Sequence, residues 1–336
     1  MQSNQIYIST LKTAIQKALT KNLPLILNDV VEYLEKHDFE VKQRKRRTKT
    51  KSLQKKTQAC LNLNTKPLQI SEFSDDGKEK IKKKFYNKVK GIEICLDGKN
   101  TKHCGKEGHW LEEKMGIEHN AKNKPDIHGY EMKKHSKGKI TLGDYSASEY
   151  AFSKKNKRKI INEINNWTNE KEVLSRNDYI KMFGNPNPKK NNRHSWSGRC
   201  VPTYNTWNPN GQILIVNDNN DIVAYYSFSK DTREIKDEFP EFLRRDDIVI
   251  ALWKSEKMKP HIDSKFNQKG FFICKKIGST YEKICFGKPF NFVHFIEGIK
   301  TKKIIFDSGM YYGNMRNYSQ FRGGPTFWDE LIIEEY

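Results

Sequence analysis

Residues 108–139 read GHWLEEKMGIEHNAKNKPDIHGYEMKKHSKGK, and the acids in this stretch decide how the rest of the chain is understood. Asp126 and Glu131 stand just before Lys133, and a third acid, Glu112, lies upstream in a short amphipathic run. Cutting a phosphodiester requires a nucleophilic water, relief of extra charge at phosphorus, and a leaving oxygen that does not depart as a bare anion. Magnesium held by carboxylates serves all three needs. It prefers oxygen ligands and keeps several waters, so two or three carboxylates plus a phosphate oxygen make a reasonable site. The acids here are the raw material of a metal-dependent nuclease.

In a strand, Glu131 and Lys133 point to one face, because side chains alternate with a period of two. One can hold a metal while the other touches a phosphate. His128 and Gly129 have the character of a turn or bulge that would bring Asp126 round to that face. Lys133 can orient the attacking water, stabilise the charged transition state, or act as a base. In a chain with 31% charged residues, the same three side chains also describe an ordinary solvated hairpin. Wider context has to separate the two.

That context is a resemblance. Gly108, Leu111, Glu112, Gly116, Ile117, Asn120, Pro125, Asp126, Gly129, Glu131 and Lys133 match the core pattern of the MutH-like branch of PD-(D/E)XK nucleases. The likeness is greatest to restriction endonucleases of the MvaI/BcnI type. A second stretch, FDSGMYYGNMRNYSQFR over Phe306 to Arg322, resembles the Asp-Ser-Gly-Met segment near the C-terminus of that family. Two departures stand out: Glu107 where a small residue is the rule, and Met115 in place of Leu. The resemblance implies an α/β core with a central mixed sheet flanked by helices. It also implies Mg²⁺ held by Glu112, Asp126 and Glu131, with Lys133 at the attacking water or scissile phosphate. A short CC-x-GG-like site in double-stranded DNA, a monomer that cuts one strand at a time, and a cognate DNA methyltransferase that protects the host belong to the same expectation.

The formal net charge of +21 over 336 residues fits a polyanionic partner, although a lysine-rich genome would also produce it. Six cysteines, at 60, 95, 104, 200, 274 and 285, form no CxxC pair, so neither a disulfide framework nor a zinc ribbon is indicated. The N-terminal MQSNQIYISTLKTAIQKALT lacks an unbroken apolar run, which predicts a soluble cytoplasmic protein without a membrane span. No nucleotide-binding glycine loop is present, which argues against an ATP-driven motor.

Along the chain, residues 1–41 have the spacing of a small helical module, with Ile8, Leu11, Ile15 and Leu19 on one face. From Lys42 to Lys56 nine of fifteen residues are Lys or Arg, so 42–90 is expected to be a basic linker followed by an exposed helix at Lys78–Lys90. A strand GIEICLDG then opens a catalytic and recognition domain over 91–336. ITLGDYSA is expected to be another core strand, and 155–174 to be helical. Gly184–Gly211, rich in Asn, Pro and Gly, predicts a long loop or irregular hairpin that offers Arg193, His194 and Arg199 to DNA, or else tucks Trp196 and Trp207 into the core. QILIVND, DIVAYYSFS, DIVIALWK, GFFICKKIG and FNFVHFIEGI all have strand character. The C-terminal segment carries Asn314, Arg316, Gln320 and Arg322, residue types that pair with base edges, unless it is simply a hairpin closing a sheet.

These features predict a Mg²⁺-dependent type II restriction endonuclease. Three rivals remain at this stage: a MutH-like methylation-directed nickase, a ribonuclease, and a basic DNA-binding protein whose acidic motif is accidental.

Overall fold

The computed structural model describes residues 76–95, 105–117, 124–136, 138–168 and 172–336, all within one compact unit spanning Phe73–Tyr336. The helical module expected at 1–41 and the basic run at 42–56 lie outside the described residues, as do Asn120, Cys60 and Cys104.

The order of elements begins with two helices, α1 (Asp76–Lys88) and α2 (Lys106–Met115), then strands β1 (Glu131–Lys134), β2 (Ile140–Asp144) and β3 (Glu149–Tyr150). Helices α3 (Lys159–Ile164) and α4 (Arg176–Phe183) precede β4 (Asn185–Asn187), β5 (Arg193–Trp196), β6 (Asn210–Val216), β7 (Ile222–Asp231) and β8 (Ile248–Trp253). Next come α5 (Ser255–Phe266), β9 (Phe271–Ile277), β10 (Thr280–Gly287), α6 (Phe292–Lys300), β11 (Ile304–Asp307) and β12 (Met310–Tyr311). The chain closes with β13 (Gln320–Gly323), α7 (Pro325–Asp329) and β14 (Ile332–Glu335).

The sheet that positions the acids is mixed, in the order β1-β9-β10-β14, with β1 parallel to β9 and the other pairs antiparallel. Strand β9 shows why it sits in the middle. Phe272 and Cys274 face a cluster built from Ile81 and Phe85 of α1 and Trp110, Leu111 and Met115 of α2. Phe271 and Ile273 face the larger core, which holds Met258, Ile262 and Phe266 of α5 and Phe295 and Ile299 of α6. The sheet is therefore covered by helices on both faces, which is why β9 is almost continuously apolar. Fully buried side chains such as Phe85 and Phe266 each contribute roughly 1.5–3 kcal/mol to this packing.

Three further sheets lie among the described residues, the three-stranded β11-β13-β2 and β12-β5-β4 and the four-stranded β3-β8-β7-β6. The stretch at Gly184–Gly211 is an irregular hairpin of β4 with β5, and Trp196 within it is fully buried, its indole donating to Gln212 Oε1 at 2.8 Å.

Two expected strands are absent from this architecture. FNFVHFIEGI folds as helix α6, because Phe292, Phe295, Ile296 and Ile299 fall at helical spacing and the Asn291 side chain caps the helix by accepting from Val293 N and His294 N. GIEICLDG makes only one isolated bridge, at Glu93, in its described part. Helix α3 covers only Lys159–Ile164 of the helical run expected over 155–174. Among the described residues no helix is long and apolar enough to cross a membrane.

Candidate active site

Ile127 and Tyr130 pair across a tight turn in which His128 and Gly129 both take positive φ, 50° and 86°. Glycine adopts that conformation at little cost, and His128 precedes it as the first residue of the turn. The turn folds Asp126 back onto β1, where its Oδ2 accepts from Met132 N at 2.8 Å. Asp126 thus reaches the strand despite its odd separation from Glu131.

Strand β1 is held against β9, and Glu131 N donates to Gly270 O at 3.0 Å. Met132 points into the cluster beneath α1 and α2, so Glu131 and Lys133 point the other way, towards α5. There Lys133 Nζ lies 2.7 Å from Glu131 Oε1, and Lys265 Nζ, from α5, lies 3.1 Å from the same oxygen. Glu131 is only 3% exposed. Lys133 also reaches Leu142 O on β2 at 3.4 Å, which ties the cluster to the neighbouring strand.

The electrostatics carry more information than the contacts. Glu131 Oε2 is buried with no hydrogen-bond partner, and so is the Tyr145 hydroxyl, whose ring lies against Gly143 of β2. Burial first, and then the negative charge of Glu131, push the Asp126 carboxyl up to about 6. Burial and the adjacent Lys133 cation push the Lys265 ammonium below its ordinary value, while Glu131 pulls it back. Two carboxylates and two lysines from three elements therefore meet in a space with little water. The one buried carboxylate oxygen left without a partner, Glu131 Oε2, can accept a cation.

Glu112 is not gathered into that group. Helix α2 packs its Trp110, Leu111 and Met115 with Met132, on the face of β1 opposite Glu131, and Glu112 lies 3.4 Å from His109 Nδ1 with a third of its side chain exposed. Among the described residues no set of three His, Cys, Asp or Glu is placed to hold a metal. Conversely, Lys265 was not legible in the sequence. It belongs to no motif, and it is one of 62 basic residues.

The residues expected to meet DNA lie on connected elements. Pairing of β5 with β12 sets Arg193 and His194 beside Tyr311, with the Arg193 guanidinium 3.6 Å over that ring. Arg199 is exposed, and its neighbour Gly198 donates to Asp307 Oδ1 at 3.4 Å. Arg316 is two-thirds exposed and pairs with Asp144 at 3.0 Å. Gln320 and Arg322 lie on β13 between β11 and β2, and Arg322 is clasped by Asp307 Oδ2 and Lys139 O. Asn314 has its carbonyl oxygen engaged within the loop, by Arg176 and Tyr311 N.

With this geometry in place, comparison with known proteins is decisive. A family model described as LlaMI restriction endonuclease matches residues 89–336. The chain belongs to that family. It is 41% identical over 271 residues to the type II restriction enzyme ScrFI of Lactococcus lactis subsp. cremoris, covering 76% of this chain and 97% of that one. Two solved structures of the restriction endonuclease MvaI are also similar. One is a complex with cognate DNA substrate, at 16% identity over 77% of this chain and 95% of that one, TM-score 0.46. The other is free of DNA, at 16% identity over 78% and 97%, TM-score 0.35. The chain is a restriction endonuclease, a hydrolase, related to the type II restriction enzyme ScrFI.

Proposed function

We propose that the endonuclease hydrolyses phosphodiester bonds in double-stranded DNA with Mg²⁺ at Asp126 and Glu131. The observation that carries this reading is the buried Glu131 carboxylate, held on one oxygen by two lysines and left without a partner on the other. A free buried oxygen beside a second carboxylate whose proton affinity is raised suits a hard divalent cation. When bound, the metal supplies Lewis-acid polarisation of a phosphate oxygen and a water of lowered pKa.

The chain's own residues do the rest. Asp126, fixed by Met132 N, and Glu131, fixed by β9, hold their carboxylates in place. Lys133 and Lys265 bring two positive charges to Glu131, where they can offset the negative charge that builds on the non-bridging phosphate oxygens. Lys133, braced by Leu142 O, is the group that orients the attacking water. Glu112, a third ligand in the sequence pattern, lies on α2 beside His109.

The recognition face is formed by Arg193, His194, Arg199, Arg316, Gln320 and Arg322 around β5, β12 and β13. The target is a short CC-x-GG-like site, cut one strand at a time by a monomer whose host carries a matching methyltransferase. The test is incubation of the purified full chain with unmethylated plasmid, with magnesium or with chelator, followed by sequencing of the ends. Discrete fragments with CC-x-GG-like ends, protected by methylation at that site, support the reading. Cutting restricted to hemimethylated DNA, or binding without cutting, contradicts it.

A further inference from the structure

The loop between β12 and β13 combines a fixed backbone with a free apolar side chain. Arg176, at the start of α4, sends its guanidinium into the loop and donates to Asn314 O, to Asn314 Oδ1 at 2.7 Å, to Arg316 O at 2.7 Å and to Asn317 Oδ1 at 2.7 Å. The carbonyls of the residues on either side of Met315, Asn314 and Arg316, are therefore gripped by one cation. Asn177 Oδ1 accepts from Gly313 N at 3.2 Å, Ser146 Oγ donates to Asn317 O at 3.1 Å, and Asp144 accepts from Ser319 N at 2.7 Å and from Arg316.

Met315 is nevertheless 91% exposed, the most exposed large hydrophobic side chain among the described residues. A single exposed methionine is ordinary on a protein surface. An exposed methionine in a loop whose Asn314 and Arg316 carbonyls are both held by a part-buried arginine is not, since ordering a loop tip costs conformational entropy that no packing of Met315 repays.

The position of the loop says what it meets. Its base is anchored on Asp144, two residues along β2 from Leu142, whose carbonyl touches Lys133. Two residues of strand are roughly 7 Å, about two base-pair steps at 3.4 Å each. The surroundings are cationic: Arg316, Lys181 at 5.1 Å from the Tyr312 ring, and Arg193 over Tyr311. A duplex with its scissile phosphate at Lys133 would run close to the anchored base of this loop.

We propose that Met315 is a wedge that enters the base stack next to the cut site, with Arg176 as the residue that holds it in position. The proposal rests on the DNA-cutting reading above. Methionine suits the role: it is unbranched, polarizable and adaptable, and apolar wedges that partly unstack a step are a known way to bend a duplex onto a protein.

The experiment uses the full chain and duplexes carrying the mapped cleavage site, with 2-aminopurine placed in turn at each position of the site and its two flanking pairs, in calcium so that binding is not followed by cutting. The wild-type chain raises the fluorescence at one step severalfold. At saturating protein, Met315→Ala abolishes the rise, Met315→Leu keeps it, and Arg176→Ala weakens it. A wild-type chain that binds and cuts yet raises fluorescence nowhere would overturn the wedge, as would a full rise with Met315→Ala. A wild-type chain that neither binds nor cuts any duplex would instead remove the nuclease reading, and the wedge with it.

Discussion

Asp126 and Glu131 repel each other across a buried site, and the consequences are measurable. With its carboxyl pushed up to about 6, Asp126 is protonated in mildly acidic solution, whereas in the unfolded chain it would ionise near its ordinary value. Between those two values the folded chain binds more protons, so this group favours folding most at low pH, and that contribution is lost as pH rises through about 6. Metal binding runs the opposite way, because the cation needs the carboxylate. The half-saturating magnesium concentration for cleavage should therefore rise as pH falls below about 6, by up to ~10-fold per unit; a magnesium titration at several pH values measures it, and a flat requirement would place the metal elsewhere. Lys265→Met should lower the single-turnover cutting rate by roughly 10²-fold with the melting temperature little changed. At this scale the sequence showed Asp126, Glu131 and Lys133 through their spacing. It did not show Lys265, whose approach to Glu131 depends on how α5 packs over the sheet.

Gly270 is the hinge between α5 and β9. Its φ is +90°, and a Cβ there would stand 2.3 Å from Gly287 O, a backbone atom that cannot easily move. Its own carbonyl accepts from Glu131 N, so strain at this one position is passed directly to the catalytic strand. Gly270→Ala should cost about 1–3 kcal/mol of stability and depress cutting more than DNA binding; a melting curve read beside a binding isotherm tests this. Apolar runs bounded by turn residues made β6, β7, β8 and β9 legible in advance. Helix α6 was misread because FNFVHFIEGI is aromatic and β-branched enough to mimic a strand, and its helical spacing outweighs that composition once Asn291 caps it. The hairpin of β11 with β13 was legible as an element, but the role of Arg176 in fixing its outer loop depends on a contact 138 residues away in sequence.

Across the whole molecule, a net charge of +21 makes association with DNA largely a matter of counterion release. If six or more phosphates are neutralised, affinity should fall by about 10³-fold between 50 and 200 mM salt, as measured by fluorescence anisotropy with a duplex probe. A shallow slope would mean that most of the lysines face solvent. Composition indicated the polyanionic partner, and the two distant motifs indicated the nuclease; the distribution of fourteen strands over four sheets among the described residues followed from neither, because strand pairing is set by long-range packing. The account's central claim is that Glu131 and its lysines cut DNA, and the most direct measurement compares wild type with Glu131→Gln on the same cleavable duplex, scoring cutting in magnesium and binding in calcium. The account predicts that Glu131→Gln binds as tightly as wild type within a few-fold while its cutting falls to background. Cutting that survives Glu131→Gln at the wild-type rate would contradict it and move the catalytic centre elsewhere in the chain.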